Sequence, residues 1–358
     1  MNIEVDRLSS GNAHFNEFLF SDVIGRSEVQ LLTDIDLQLS FGKSRVLIIG
    51  AGGSIGSALA TRLATAELEQ IFFLDRDESA LHGLALALSN TAASHSDKCF
   101  IADIRDIQSI NDVLRIVQPT IVIHAAALKH LVMLERFPRE GYLTNIIGTL
   151  NVAEACLKHG VEQFVNISTD KAANPISVLG KTKKIAELLT EEVFADTDSQ
   201  QCSVRFGNVF ASRGSVIETF IHQIRHGLPV TITDKNVARY FMSRNEAANL
   251  VLAAASLKVS GTYIQNMGEE VAIVDVVNKI AQYLSLVPTI RFIGLQNGEK
   301  LHEELYDGPT VETRYGSISR STHQVTPGLV EEIKSANPAS NTDAIEQIDQ
   351  LIQKYLKK

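Results

Sequence analysis

Cysteine is scarce in this chain, with three among 358 residues. Cys99, Cys156 and Cys202 stand far apart and none has a second cysteine at ligand spacing, so neither a disulfide framework nor a structural zinc site is indicated. A reduced, cytoplasmic setting is the expectation. Concentrated positive charge is missing too: 33 basic against 42 acidic side chains leave a formal charge of −9. Gripping a nucleic-acid backbone calls for clustered Lys and Arg, so no nucleic-acid partner is expected, while a local basic pocket for a diphosphate stays compatible with the balance. No apolar run reaches 18 residues, and the opening Met-Asn-Ile-Glu-Val-Asp-Arg lacks the basic-then-apolar order of a signal peptide. The expectation is a soluble protein without membrane insertion. No internal repeat and no metal-ligand cluster is evident.

What the chain has is alternation. Short, nearly all-apolar segments at 46–49, 70–74, 99–102, 120–124, 162–167 and 201–206 read as strands. Helical stretches at 54–66, 78–88, 107–117, 148–159 and 181–194 separate them. This predicts an α/β protein, a Rossmann-like doubly wound parallel sheet covered on both faces, with a smaller C-terminal substrate lobe. Past Gly207 the reading is helices at 216–226, 244–255 and 273–284, strands at 229–233, 262–266 and 289–293, and a polar loop over 294–315. The expected divisions are an N-terminal helical prefix at 1–42, a dinucleotide-binding core at 43–208 with later returning segments, a substrate lobe and lid at 209–340, and a terminal helix at 341–358. In the prefix, Phe15, Phe18, Leu19, Phe20 and Ile24 suggest a short helix that packs on the main domain or on another subunit.

The run from Val46 through Gly50-Ala51-Gly52-Gly53-Ser54-Ile55-Gly56 is apolar strand, glycine turn and helix start in the order of a dinucleotide fingerprint. Gly50, Gly53 and Gly56 let the backbone turn tightly and bring a pyrophosphate to the helix start at Ser54 and Ile55, where free amides favour anions. Asp75 ends the second strand, where a carboxylate accepts the ribose hydroxyls of NAD; Arg76 beside it can instead pair with the extra phosphate of NADP. NAD is expected, with NADP as the alternative. Asp103 and Ile104 either meet the adenine edge or form a solvated turn. Ala125 and Ala126 are small enough for a planar cofactor to lie close, and His124 before them reads as a core histidine or a proton carrier. Lys129 and His130 face substrate or plain surface.

The segment Ser168-Thr169-Asp170-Lys171 follows the hydrophobic run 161–167 and marks an active-site edge. Asp170 and Lys171 form an acid–base couple there, with Ser168 and Thr169 as hydroxyl donors. Lys183 falls one helical turn after Leu179, on the same face, within reach of a cofactor ribose; Lys181, Lys183 and Lys184 together also read as a solvated face. Arg205, Asn208, Arg213 and Arg239 are either contacts for a diphosphate and its nucleoside or surface residues. Gly298-Glu299-Lys300 and His302-Glu303-Glu304 form a solvated loop or a closing lid.

Several strings go beyond spacing: Val46 to Ser57, His124 to His130, Thr144-Asn-Ile-Ile-Gly-Thr149, Ile167 to Pro175, Arg205 to Val209, Ser212 to Val216, Arg239-Tyr-Phe-Met242 and Gly298-Glu-Lys300. Through them, over roughly residues 40 to 310, the chain resembles the extended short-chain dehydrogenase/reductases. Within that superfamily it resembles the capsular-polysaccharide group of nucleotide-sugar 4,6-dehydratases that includes UDP-N-acetylglucosamine 4,6-dehydratases. The resemblance implies that the glycines and Asp75 hold NAD(P) and that Asp170 and Lys171 are the catalytic pair. It implies that Lys183 is the lysine of a Tyr-x-x-x-Lys pair whose tyrosine position is Leu179, where this group often carries methionine. A UDP-sugar substrate then meets Lys129, His130, Thr169, Asn208, Arg213, Arg239 and Glu299, with Lys171 assigned to proton abstraction and Asp170 to protonating the departing hydroxyl, the order of the two left open and the couple able to titrate as a unit. A homo-oligomer is implied as well. A UDP-sugar epimerase is the alternative reading.

Overall fold

The computed structural model describes residues 20–66, 68–89, 97–321 and 326–356. Phe15, Phe18 and Leu19 of the expected prefix helix lie outside the described residues. The strands of the large sheet are β1 Arg45–Ile49, β2 Gln70–Asp75, β3 Cys99–Ile101, β4 Ile121–His124, β5 Gln163–Thr169, β6 Gln200–Phe206, β7 Gly261–Gln265, β8 Thr310–Glu312 and β9 Ile318–Ser321. They lie in the order β8-β9-β7-β6-β5-β4-β1-β2-β3.

From β3 to β7 every neighbouring pair is parallel. The far edge corrects the all-parallel expectation: β9 runs antiparallel to β7, and β8 antiparallel to β9. This hairpin falls partly in the stretch read as loop, and the reason is exposure, since all three residues of β8 face solvent and offer no apolar run. The strand order reverses between β1 and β4, which opens a crevice at the carboxyl ends of the strands.

The period of two along β1 assigns its side chains to two cores. Val46 and Ile48 pack with the helices Ser54–Leu63 and Arg244–Ser256, and Leu47 and Ile49 pack with Ile107–Val117 and Gly148–Lys158. The helix Arg244–Ser256 and β7 therefore pack with the sheet, as later segments returning to the core. The smaller lobe has its own core, built from Phe210, Phe220, Ile224, Val230, Phe241, Ile273, Val277 and Ile280, and Phe20, Val23 and Ile24 of the prefix pack into it. A third cluster joins the helix Val178–Phe194 to Leu329–Ser335 and Asn341–Tyr355. Among the described residues no helix is long and apolar enough to cross a membrane.

Two local features position the site. The long helix starts at Val178, earlier than periodicity predicts, because the Ser177 hydroxyl accepts from the Gly180 amide and caps the first turn; Leu179 thereby becomes helical and faces the cleft. Ahead of Gly148, Tyr142–Ile147 is a π-helical turn, and Asn145 in it clamps the backbone N–H and C=O of Leu128.

Beneath the cleft lies a buried ionic cluster. The Arg205 guanidinium donates to both carboxylate oxygens of Glu187, at 2.8 and 2.7 Å, and to both of Asp307, at 2.8 and 2.9 Å. Lys184 pairs with Asp307 at 2.7 Å and Glu187 at 3.3 Å. Arg205, read as a candidate diphosphate contact, is thus structural. Burial pushes the Glu187 carboxyl up, but Arg205 and Lys184 outweigh it and hold its pKa at about 2. Glu187→Gln and Arg205→Leu each leave buried charge uncompensated, and each is expected to destabilise the fold by ~3–5 kcal/mol in urea denaturation. Because the folded pKa lies below the ordinary 4.5, the Glu187 contribution is complete above pH 4.5 and fades as the pH falls towards about 2. The gap between wild type and Glu187→Gln should close over that window, and a constant gap would refute the assignment.

Candidate active site

A cleft of about 770 Å³ opens at the carboxyl ends of β1, β2, β4, β5 and β6. At one end the glycine turn meets the residues after β4 backbone to backbone. Gly50 has φ +81°, and a Cβ there would stand 2.5 Å from the Ala126 nitrogen; a Cβ on Gly56 would stand 2.1 Å from the Gly50 carbonyl oxygen. Gly56 therefore shapes the turn from behind and does not itself line the cleft. Gly53 caps the helix Ser54–Leu63 without a side-chain bond, so the first amides carry no side-chain partner where Ser54 and Ile55 line the cleft. That is an anion seat. The Asp75 carboxylate accepts from the Gly52 amide at 2.9 Å and the Asp77 amide at 3.0 Å, which orients it at the rim. Asp103 takes Arg105 at 3.1 Å and Arg76 at 3.7 Å, so Arg76 already faces a carboxylate. Burial raises the Asp103 carboxyl, and the arginines outweigh it to leave a net lowering.

The cleft brings together Gly50, Gly53, Ser54, Ile55, Asp75, Arg76, Asp103, Ile104, Ala125 and Ala126 on the cofactor side. On the other side it gathers Lys129, His130, Thr169, Lys171, Lys183, Asn208 and Arg213. It does not gather all the candidates. Arg239 and Glu299 lie outside its lining and pair with each other at 3.0 Å, with Arg239 also donating to the Leu301 carbonyl. Asp170 is fully buried behind the wall, where its Oδ1 accepts from the Thr169 hydroxyl at 2.8 Å and from Lys171 Nζ at 3.0 Å. His124 is a core histidine: the Thr149 hydroxyl donates to the Asn145 carbonyl, so it accepts from His124 Nε2, and burial holds the imidazole pKa down at about 3.

Two lysines of the wall are driven in opposite directions. The Lys183 side chain makes no hydrogen bond among the described residues, and burial lowers its pKa to about 8 against the pull of Glu187. Burial also pushes Lys171 down, but Asp170 and Glu303, at 3.0 and 3.3 Å, outweigh it and raise the pKa. Lys171 is thus favoured in its ammonium form. Burial lowers Lys129 and His130 as well. Sequence reasoning missed Thr144, which lines the cleft with its hydroxyl unpartnered, and left Glu303 without a role. A π-helical turn and a contact 132 residues away along the chain leave no local signal.

Rossmann-like sheet, glycine turn at the reversal point and small lobe over the strand ends define an extended short-chain dehydrogenase/reductase fold. The chain belongs to the polysaccharide biosynthesis protein family, whose model matches residues 46–323. It is similar to the capsular polysaccharide biosynthesis protein CapD of Staphylococcus aureus, 39% identical over 293 residues that cover 79% of this chain and 48% of that protein. The chain thus spans about half the length of that relative. It is 34% identical to the UDP-glucose 4-epimerase of Rickettsia prowazekii over 272 residues, 74% of this chain and 78% of that one. Among solved structures, the UDP-glucose 4-epimerase of Thermus thermophilus in complex with NAD superposes with a TM-score of 0.65 over 82% of this chain and 99% of that one. At 22% identity, that likeness shows the fold.

The lowered Lys183 pKa has a consequence for stability. Between about 8 and the ordinary 10.5 the unfolded chain carries a proton at this lysine that the folded chain has shed, so stability rises with pH across that window. Lys183→Met should remove this rise. Paired urea titrations of the two proteins from pH 7 to 10.5 measure it, and parallel stability curves would contradict the assignment.

Proposed function

We propose that the protein is an NAD-dependent nucleotide-sugar 4,6-dehydratase acting on a UDP-N-acetylhexosamine, with UDP-N-acetylglucosamine as the first substrate to test. The observation that carries this reading is the Lys171 ammonium on the cleft wall, backed by the buried Asp170. Eliminating water from carbon 6 needs an acid for the departing oxygen, whereas inversion at carbon 4 has no departing oxygen.

NAD supplies reversible oxidation at carbon 4 of the sugar, which makes the carbon 5 proton acidic. The glycine turn and the amides at Ser54 and Ile55 fit a pyrophosphate, and Asp75 fits the ribose diol. Arg76 is turned to Asp103, which makes it a poorer partner for the extra phosphate of NADP. Leu179 presents an apolar wall and carries no proton. Lys183, one turn further along, is placed to hold the ribose and to take the carbon 4 hydroxyl proton that Leu179 cannot. The Asp170–Lys171 couple receives one proton from carbon 5 and delivers one to the carbon 6 oxygen, so it ends as it began and one water leaves; the hydride removed from carbon 4 returns to carbon 6, and the proton that carbon 5 regains balances the one Lys183 took from the carbon 4 hydroxyl. With Lys171 held as the ammonium, delivery is the step assigned to it.

The named activity of the Rickettsia relative favours a UDP-sugar 4-epimerase as the second reading. Mass spectrometry of the full chain with NAD and UDP-N-acetylglucosamine separates the two. A product lighter by one water supports the dehydratase, and an isomer of unchanged mass supports the epimerase. Lys171→Ala should reduce turnover at least ~10²-fold while UDP binding changes little. Near-normal turnover in Lys171→Ala would remove Lys171 from the chemistry.

A further inference from the structure

Lys171 Nζ has three hydrogens to place, and three oxygens from three parts of the chain surround it. Asp170 Oδ1 lies at 3.0 Å, Asn208 Oδ1 at 3.3 Å and Glu303 Oε1 at 3.3 Å. Asp170 is its sequence neighbour and Asn208 comes from the strand edge after β6. Glu303 arrives from the segment after the small lobe, and its side chain is only 3% exposed. Its backbone N–H donates to Glu270 Oε1 at 3.0 Å, its Oε1 also stands 3.8 Å from Arg239 Nε, and its Oε2 is buried without a partner. Asp170 Oδ2 is likewise buried and unpartnered. One ammonium thus sits between two buried carboxylates.

Asp170 alone would already neutralise the Lys171 charge, and the second buried carboxylate adds a desolvation penalty. The placement of Glu303 is also fixed from both sides. Lys300 Nζ donates to the Ala173 carbonyl at 3.1 Å, just beyond the Asp170–Lys171 turn, and Asp307 is locked onto Arg205. The segment that carries Glu303 is therefore registered against the residues it acts on. The charges facing Lys171 are Asp170 on its own turn, Glu303 on this segment and Arg239 on the small lobe, whose guanidinium is in turn shared with Glu299.

We propose that Glu303 is a positioning residue for Lys171, which it holds at the cleft wall and, together with Asp170, keeps in the charged form. The proposal deepens the dehydratase reading and rests on it for the role of Lys171 as proton donor. Removing one of two carboxylates lets the ammonium lose its proton more easily. The expected shift is at least about one pH unit downwards, the usual scale for an opposite charge within salt-bridge distance.

The test follows Lys171 itself and does not require a product. Competitive acetylation of the full chain across pH, read on the Lys171 peptide by mass spectrometry, reports its deprotonation in wild type, Glu303→Gln and Glu303→Asp. Glu303→Gln should move the profile down by about one unit or more, and Glu303→Asp, which keeps the charge, should restore most of it. With UDP-N-acetylglucosamine, Glu303→Gln should lower kcat about tenfold or more and leave KM nearly unchanged, since it perturbs proton delivery and not uniform binding. An unshifted acetylation profile in folded Glu303→Gln overturns the proposal. If that variant fails to fold, Glu303→Ala, which also removes the charge, decides in its place: a downward shift supports the proposal and a profile identical to wild type overturns it. A shifted profile in proteins that convert no UDP-sugar would keep the Glu303 assignment and defeat the dehydratase reading. Dehydration by wild type with no shift in the variant would do the reverse.

Discussion

Arg205 is where the sheet, the long helix and the returning C-terminal segment are tied together, and the rest of the site depends on that tie. Two carboxylates grip its guanidinium bidentately, which fixes direction as well as distance. Glu187 has one more bond to make, and the Ser168 hydroxyl donates it at 2.6 Å. The end of β5 is thereby anchored two residues before Asp170. Asp307 and the Leu305 carbonyl, which also accepts from Arg205, anchor the other side of the cleft a few residues after Glu303. With Lys184 the cluster contains two cations and two anions, so it buries no net charge. The Asp170–Lys171 turn and Glu303 reach each other because both hang from this cluster.

The sequence disclosed the parts of the fold whose local pattern is also their tertiary environment. Strands β1, β4, β5 and β6 are almost wholly buried and β2 and β3 partly so, all in short apolar-rich runs, and the turn declares itself because only glycine tolerates the close contacts at Gly50 and Gly56. The hairpin of β8 and β9 lies at the sheet edge, and its polar, exposed residues read as loop. Arg205 was misread for a different reason. Its partners Glu187 and Asp307 lie 18 and 102 residues away, so a structural arginine beside Gly207 and Asn208 had the local look of a phosphate ligand. Three close lysines hid a similar ambiguity: Lys181 is a surface residue paired with Asp349, Lys184 is sealed into the ionic cluster, and Lys183 faces the cleft. Composition treats them alike, and only the helix packed between cleft and core separates them.

That separation also puts the two cleft lysines on either side of Leu179 in different electrostatic surroundings. At Lys183 burial outweighs the pull of Glu187 and drives the amine towards its neutral form. Burial acts equally on Lys171, but two carboxylates within 3.3 Å reverse the outcome. Each unit of pKa difference between the two corresponds to about 1.4 kcal/mol of proton affinity, so Lys183 gives up its proton more readily than Lys171. In the proposed reaction the same residue type serves as proton acceptor on the helix side of Leu179 and as proton donor on the strand side. A tyrosine normally contributes a hydroxyl whose acidity a neighbouring lysine enhances. Here the environment does that work on the lysines directly, through what surrounds each ammonium, and the leucine is left to shape the wall between them.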